Sequence, residues 1–320
     1  YNFGMCSEII KGGNKMKVSI IGAGAVGATT AFTLAKTSFV DEIAIVDIDQ
    51  NRAKGNALDI LHGLSLMHET RIVSGDYDCA INSDVIVITV GVPEKVGESR
   101  LVPLQKNVKI LQDIIPKITS TSPNGLLLVV SNPVDIISYF SQKISGWEAK
   151  RVIGLGTTLD SARLNYLIAR DLKISQTDIQ GLVIGEHGDS QVVAWSQTSV
   201  KGTPFLDYVK SNNISLQEDY CNNLAQEVKD TAFDVWDMKG PNCYCVALAI
   251  ERVIKAIARN EHAILPVSQP ADSEMYISQP HIIGRDGVQR RVILSYDTQE
   301  LNAFDTSYQS LQDIVKQIEI

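Results

Sequence analysis

The chain has 320 residues, enough for two domains that each bury a core, and it is mildly acidic: 29 Lys and Arg against 37 Asp and Glu, a formal charge of −8. No basic cluster of the kind that tracks a phosphate backbone stands out, which argues against a nucleic-acid partner, and no apolar run nears the roughly 18 residues that cross a bilayer, which argues against a membrane. Five cysteines (Cys6, Cys79, Cys221, Cys243, Cys245) without CxxC spacing suggest neither a disulfide framework nor a zinc site, so no metal is expected and a reducing cytoplasm fits best.

Residues 1–15 show no clear period and precede Met16-Lys17-Val18, which reads as a natural start into a strand. They are set aside as an extension or a remnant of an expression vector, the alternative being an ordered arm against a partner subunit. Apolar runs at 17–21, 43–47, 70–73, 85–90, 126–130 and 151–153 then alternate with helical patterns. Near-continuous apolar strands separated by helices predict an α/β fold, a doubly wound parallel sheet covered on both faces, over residues 16–153. From 154 to 320 the alternation stops. Long helices (159–170, 217–237, 242–259) and clustered strands (179–184, 191–200, 263–267, 288–296) predict a mixed α+β second domain in tight contact with the first.

The first strand runs into Gly22-Ala-Gly24-Ala-Val26-Gly27 and a helical pattern. Gly22 suits a tight turn, Gly24 lets backbone approach a pyrophosphate, and Gly27 allows close helix-to-strand packing, with the helix N-terminus facing the phosphates. Asp47 ends the second strand 20 residues after Gly27, where a carboxylate accepts hydrogen bonds from ribose hydroxyls. A carboxylate there repels a 2′-phosphate, favouring NAD over NADP, while Arg52 nearby softens that preference. The bland alternative, a solvated strand-end acid, fits Asp49 better than Asp47.

After the fourth strand, GVPEKVGESRLVP (91–103) reads as a polar loop where open α/β sheets place ligand-binding segments, and as a mobile lid. Further on, Gly185-Glu-His187-Gly-Asp189 sets a histidine between glycines after an apolar strand, a setting for close approach to a ligand. Asp160 and Arg163, three apart at a helix start, point from one face. His62, His68, His262 and His281 lack such context and read as solvated or packed. Cys243 and Cys245 read as interior filler.

Through GAGAVG, GESRL, SNPVD, LDSAR and GEHGDS, in order and spacing, the chain from Met16 onward resembles the lactate/malate dehydrogenase family. The resemblance implies a Rossmann domain, a substrate domain and a homotetramer. It implies that His187 is the acid/base, that Asp160 orients it, and that Arg163 grips the substrate carboxylate. Arg100 would polarise the reacting carbonyl, and Asn132 would touch substrate and nicotinamide beside a cis Asn132–Pro133 bond. Val26, Gly91 and Val130 join Gly22, Gly24, Gly27, Asp47, Arg52 and Asn132 as expected cofactor contacts. These roles suit the residue types: histidine titrates near neutrality, and the guanidinium fork holds a carboxylate bidentately.

Two positions depart from the family pattern. Six residues before Arg100, malate enzymes usually carry Arg and lactate enzymes Gln; here Glu94 stands. A second substrate carboxylate roughly 4 Å from it would meet about 4 kcal/mol of repulsion at an effective dielectric near 20, disfavouring oxaloacetate by a factor on the order of 10³. Asn242 replaces the usual Thr against the substrate side chain, predicting a narrower pocket or one tuned to a polar group. The small 2-oxo acid expected first is pyruvate. Larger acids stay open because YISQPHIIGRDGV also resembles the L-2-hydroxyisocaproate dehydrogenase branch, and malate remains a weaker alternative. A non-catalytic NAD-binding sensor would lack one of His187, Asp160, Arg163 or Arg100, and a family 4 glycosidase would need metal-ligating Cys and His.

Overall fold

The computed structural model describes residues 16–67, 69–92, 101–271 and 274–318. In the first half, strands β1 (Lys17–Ile21), β2 (Glu42–Val46), β3 (Arg71–Gly75), β4 (Val85–Ile88), β5 (Leu126–Val129) and β6 (Val152–Gly154) alternate with helices α1 (Ala25–Ala35), α2 (Gln50–Gly63), α3 (Leu101–Thr121) and α4 (Val134–Ser145). All six strands pair in parallel, in the order β3-β2-β1-β4-β5-β6. The central strands are apolar along their whole length because both faces are covered; every residue of β4 and β5 is buried. This is the doubly wound Rossmann arrangement expected from the alternation.

The second half begins with α5 (Thr158–Leu172) and short strands β7 (Ile179–Gln180), β8 (Val183–Ile184), β9 (Val192–Val193), β10 (Ser199–Val200) and β11 (Thr203–Pro204). Helices α6 (Phe205–Ser211), α7 (Tyr220–Lys239) and α8 (Tyr244–Ala258) follow, then strands β12 (Ala263–Pro270), β13 (Tyr276–Gly284) and β14 (Gly287–Arg291), and helix α9 (Thr298–Val315). The three late strands return to the first sheet. β12 lies antiparallel to β6 with Ser268 opposite Gly154, and β13 and β14 extend it to nine strands. That approach needs a glycine: a Cβ on Gly154 would sit 2.7 Å from Cβ of Ser268.

Residues of α1, α2 and α8 pack on one face of the sheet and residues of α3, α4 and α9 on the other, while α5, α6 and α7 enclose a separate cluster centred on Leu164, Phe205 and Val228. Several sequence expectations need correction. The run at 191–200 is two strands separated by a helical turn at Trp195–Gln197, and the run at 179–184 is likewise broken. The run at 288–296 is strand only to Arg291, while β13, α6 and α9 had no counterpart in the expected elements. Cys243 is buried, as expected, but Cys245 lies on the exposed side of α8, off the helix face built by Val246, Ala249 and Ile250.

Candidate active site

The glycine loop has the contacts its sequence implies. Gly22 takes φ +108°, and a Cβ on Gly27 would fall 1.8 Å from the Gly22 carbonyl oxygen, so α1 starts this close to β1 only without a side chain. At Gly24, which caps α1, a Cβ would meet nothing within 4 Å. The backbone there faces open space beside the helix N-terminus, a cradle that fits a pyrophosphate. Asp47 follows β2 and braces this loop: one carboxylate oxygen accepts the Ala23 N–H at 2.5 Å and the other the Asp49 N–H at 2.8 Å. Asp49 proves to be the N-cap of α2, accepting the Arg52 N–H at 3.1 Å, and the Arg52 guanidinium turns to it at 3.5 Å.

Beyond the carboxyl ends of β1, β4 and β5 opens a cleft of about 250 Å³, lined by Val26, Val130, Asn132, Arg163, His187 and Asn242. Its remaining wall includes Leu159, Ala232, Trp236 and Val246. Strands and helices whose residues are remote in sequence thus bring these six expected site residues to one cleft, while Gly22, Gly24, Gly27, Asp47 and Arg52 lie outside its lining. The Asn132–Pro133 bond is cis, in line with the family resemblance. Gly91 lies outside this lining but packs at the same strand ends, where Asn107 of α3 accepts the Val92 N–H at 2.7 Å and donates to the Asn132 carbonyl at 3.3 Å. Glu94 and Arg100 lie outside the described residues, as does His68.

The centre of the site is an ion-pair chain. His187 Nδ1 meets Asp160 Oδ2 at 2.5 Å, and Arg163 donates to Asp160 Oδ1 at 2.9 Å. Asp160 is fully enclosed while the imidazole keeps 18% of its surface open toward the cleft. Burial alone would push the Asp160 carboxyl up, but the His187 charge and hydrogen bond, with Arg163, outweigh it and hold it below the usual carboxylate range. Burial alone would likewise push the imidazole down. The Asp160 charge and hydrogen bond overcome this, and His187 lies above its ordinary value. The Arg163–Asp160 contact is thus real, yet Arg163 also lines the cleft.

A second carboxylate was not anticipated. Asp135, buried at the start of α4, accepts the backbone N–H of His187 at 2.8 Å and the Ser268 hydroxyl at 2.5 Å. Burial dominates there and pushes its pKa up to about 7, although both hydrogen bonds and the His187 charge pull the other way. The signal was present as an acid within the apolar run after Asn132-Pro133. The other described histidines follow the bland reading: His62 and His262 are exposed, and His281 is buried with Nδ1 on the Gln279 carbonyl. Asn242 donates one of its two amide N–H groups to the Ala232 carbonyl at 2.8 Å, which ties the side chain to α7 at the cleft wall.

No helix among the described residues is long and apolar enough to cross a membrane, and no metal-ligating cluster occurs among them. Residues 16–154 match the model of the lactate/malate dehydrogenase NAD binding domain, and residues 157–319 that of the lactate/malate dehydrogenase alpha/beta C-terminal domain. An L-lactate dehydrogenase of Clostridium botulinum (strain Loch Maree / Type A3) is 37% identical over 310 residues, covering 95% of this chain and 98% of the relative. One from Thermoanaerobacter sp. (strain X514) is 38% identical over 309 residues, covering 95% and 99%. Among solved structures, the minor L-lactate dehydrogenase from Enterococcus mundtii in a ligands-bound form superposes with TM-score 0.91 at 34% identity over 96% of this chain and 99% of that one. MGS-M5, a lactate dehydrogenase from a Medee basin deep-sea metagenome library, gives 0.90 at 34% identity, covering 94% and 98%.

Proposed function

The chain belongs to the lactate/malate dehydrogenase family of NAD-dependent oxidoreductases acting on 2-hydroxy acids, and from that premise we propose that it is an L-lactate dehydrogenase interconverting pyruvate and L-lactate. The observation that carries the reading is the Arg163–Asp160–His187 chain at the rim of the cleft. Gly24, Asp47 and the start of α1 would hold the pyrophosphate and adenosine of NADH, which when bound would supply the hydride for C2 of the 2-oxo acid. His187 gives the proton. Its Nδ1 is engaged by Asp160, which leaves Nε2 to donate to the C2 oxygen as negative charge develops there.

Asp160 fixes the tautomer and stabilises the imidazolium, so His187 keeps its proton to higher pH than it would without that partner. Arg163, anchored through one guanidinium nitrogen, turns its remaining donors to the substrate carboxylate and orients C2. Asn132 lines the same cleft, and the family resemblance assigns Arg100 to polarising the reacting carbonyl.

Pyruvate is favoured over oxaloacetate for two reasons. Glu94, set over the substrate side chain by the family resemblance, would repel a second carboxylate, and Asn242, with one of its two amide N–H groups used by Ala232, is a neutral amide with no positive charge to attract an anion. Ala232 and Val246 supply an apolar wall that also suits branched 2-oxo acids, the second reading. A homotetramer in the cytoplasm is proposed on the family resemblance, and light scattering measures the former. Oxidation of NADH followed by absorbance with pyruvate, 2-oxoisocaproate and oxaloacetate decides the substrate. The highest kcat/KM is expected for pyruvate and the lowest for oxaloacetate; a higher value with 2-oxoisocaproate selects the second reading.

A further inference from the structure

Three consecutive residues around the catalytic imidazole are held by three separate elements. Gly185 exchanges backbone hydrogen bonds with Ser278 of β13 at 2.9 and 3.0 Å. His187 donates its N–H to Asp135 of α4 at 2.8 Å. Between them, Glu186 donates its N–H to Oγ of Ser307 on α9 at 2.9 Å. Ser307 is fully buried, and its hydroxyl is 2.9 Å from that of Ser190, which lies 2.5 Å from Oε2 of Glu186.

A carboxylate only accepts, so the direction of every bond follows. Ser190 donates to Glu186, Ser307 donates to Ser190, and the Glu186 N–H donates to Ser307. These links form a closed ring in which each hydroxyl both gives and receives, an arrangement that strengthens its members. The ring spans residues 186–190 and has His187 within it. The fit is close: Gly185 sits at φ +89°, and a Cβ there would come 3.1 Å from the Ser307 hydroxyl. Helix α9 is itself fixed, by the Asp297–Glu300 capping box and by buried Glu300 accepting the Ser196 N–H at 2.9 Å.

We propose that Ser307, through its ring with Glu186 and Ser190, is a positioning residue that sets the His187 loop from the C-terminal helix. It touches no substrate. Its effect reaches the reaction because a misplacement of about 1 Å at a catalytic group costs on the order of 10² in rate. The proposal rests on the reading of His187 as the proton donor. The groups facing His187 are Asp160 and Arg163 on α5 and Asp135 on α4, with Glu186 beside it, and loosening the loop relaxes its contact with Asp160.

The test is Ser307→Ala, read in two ways. In steady state, kcat/KM for pyruvate is expected to fall about tenfold or more, and its alkaline limb to move to lower pH, with the Kd for NADH unchanged. By NMR of the histidine-labelled protein, with His187 assigned through His187→Asn, the imidazole should titrate at lower pH than in the wild type. The second readout needs no turnover: a wild type inactive on every 2-oxo acid defeats the functional reading, while the titration still judges Ser307. Ser190→Ala, which opens the same ring one link away, should shift the titration the same way and covers the case of Ser307→Ala failing to fold. Ser307→Thr, which keeps the hydroxyl, should restore the wild-type titration. A folded Ser307→Ala or Ser190→Ala protein with an unchanged titration and kcat/KM overturns the proposal.

Discussion

Asp135 and Asp160 grip opposite ends of one residue: Asp160 takes the His187 ring nitrogen at 2.5 Å, and Asp135 takes its backbone N–H at 2.8 Å. The two acids are equally buried, but they titrate in opposite directions because only Asp160 faces cationic side chains directly.

That difference has a signed effect on stability. The Asp135 carboxyl binds its proton more tightly when folded, up to about 7, than when unfolded. The folded state therefore holds the extra proton, and stability falls as pH rises from about 4 to about 7. Asp160, whose value is depressed, acts with the opposite sign at acid pH. Asp135→Asn removes the first contribution. Thermal melts between pH 4 and 8 should show the wild type losing stability relative to the variant as pH rises through this window; a constant difference would mean that Asp135 is ionised throughout.

His187→Asn should lower turnover of pyruvate by roughly 10² to 10⁴, the share general acid/base catalysis usually supplies, with NADH binding nearly intact by fluorescence. A variant within tenfold of the wild type would place the proton donor elsewhere.

Asp47→Ser should weaken NADH and raise the relative use of NADPH, because the carboxylate that repels a 2′-phosphate is gone. The loss includes the brace on the Ala23 N–H, so binding of both cofactors should fall while their kcat/KM ratio moves toward NADPH. An unchanged ratio would reduce Asp47 to a loop brace.

Glu94→Arg should turn repulsion of a dicarboxylate into attraction. Comparing kcat/KM for oxaloacetate and pyruvate in both proteins tests whether Glu94 covers the substrate side chain, and a ratio that does not rise assigns it to solvent.

What the residues alone made legible was local, and the pairing of Asp160 with His187 came only through the family resemblance. The glycine loop and Asp47 were readable because their spacing follows one strand–turn–helix unit, and Asp160 and Arg163 because they share a helix face. The links from His187 to Asp135 and from Glu186 to Ser307 span 52 and 121 positions, and nothing in composition announces such pairs. β13 escaped notice because it is buried on both faces and carries Pro280, so it shows neither alternation nor uninterrupted strand-forming residues. α9 escaped because its buried face includes Glu300 and Ser307 beside Leu311, polar residues where a helical pattern would require apolar ones.

The return of β12 to the edge of β6 has a consequence for the chain as it is made. β6 emerges from the ribosome with its outer row of N–H and C=O groups bare, and its antiparallel neighbour is encoded long afterwards, beyond α5 to α8. At roughly 5–20 residues per second the nascent sheet spends seconds with an open flank that any passing strand can extend. Helix α8, which packs on α1 and so covers that side of the sheet, is also made before the three strands that close the flank. A nascent chain stalled within α7 should thus be more prone to aggregate and to engage chaperones than one stalled after β14.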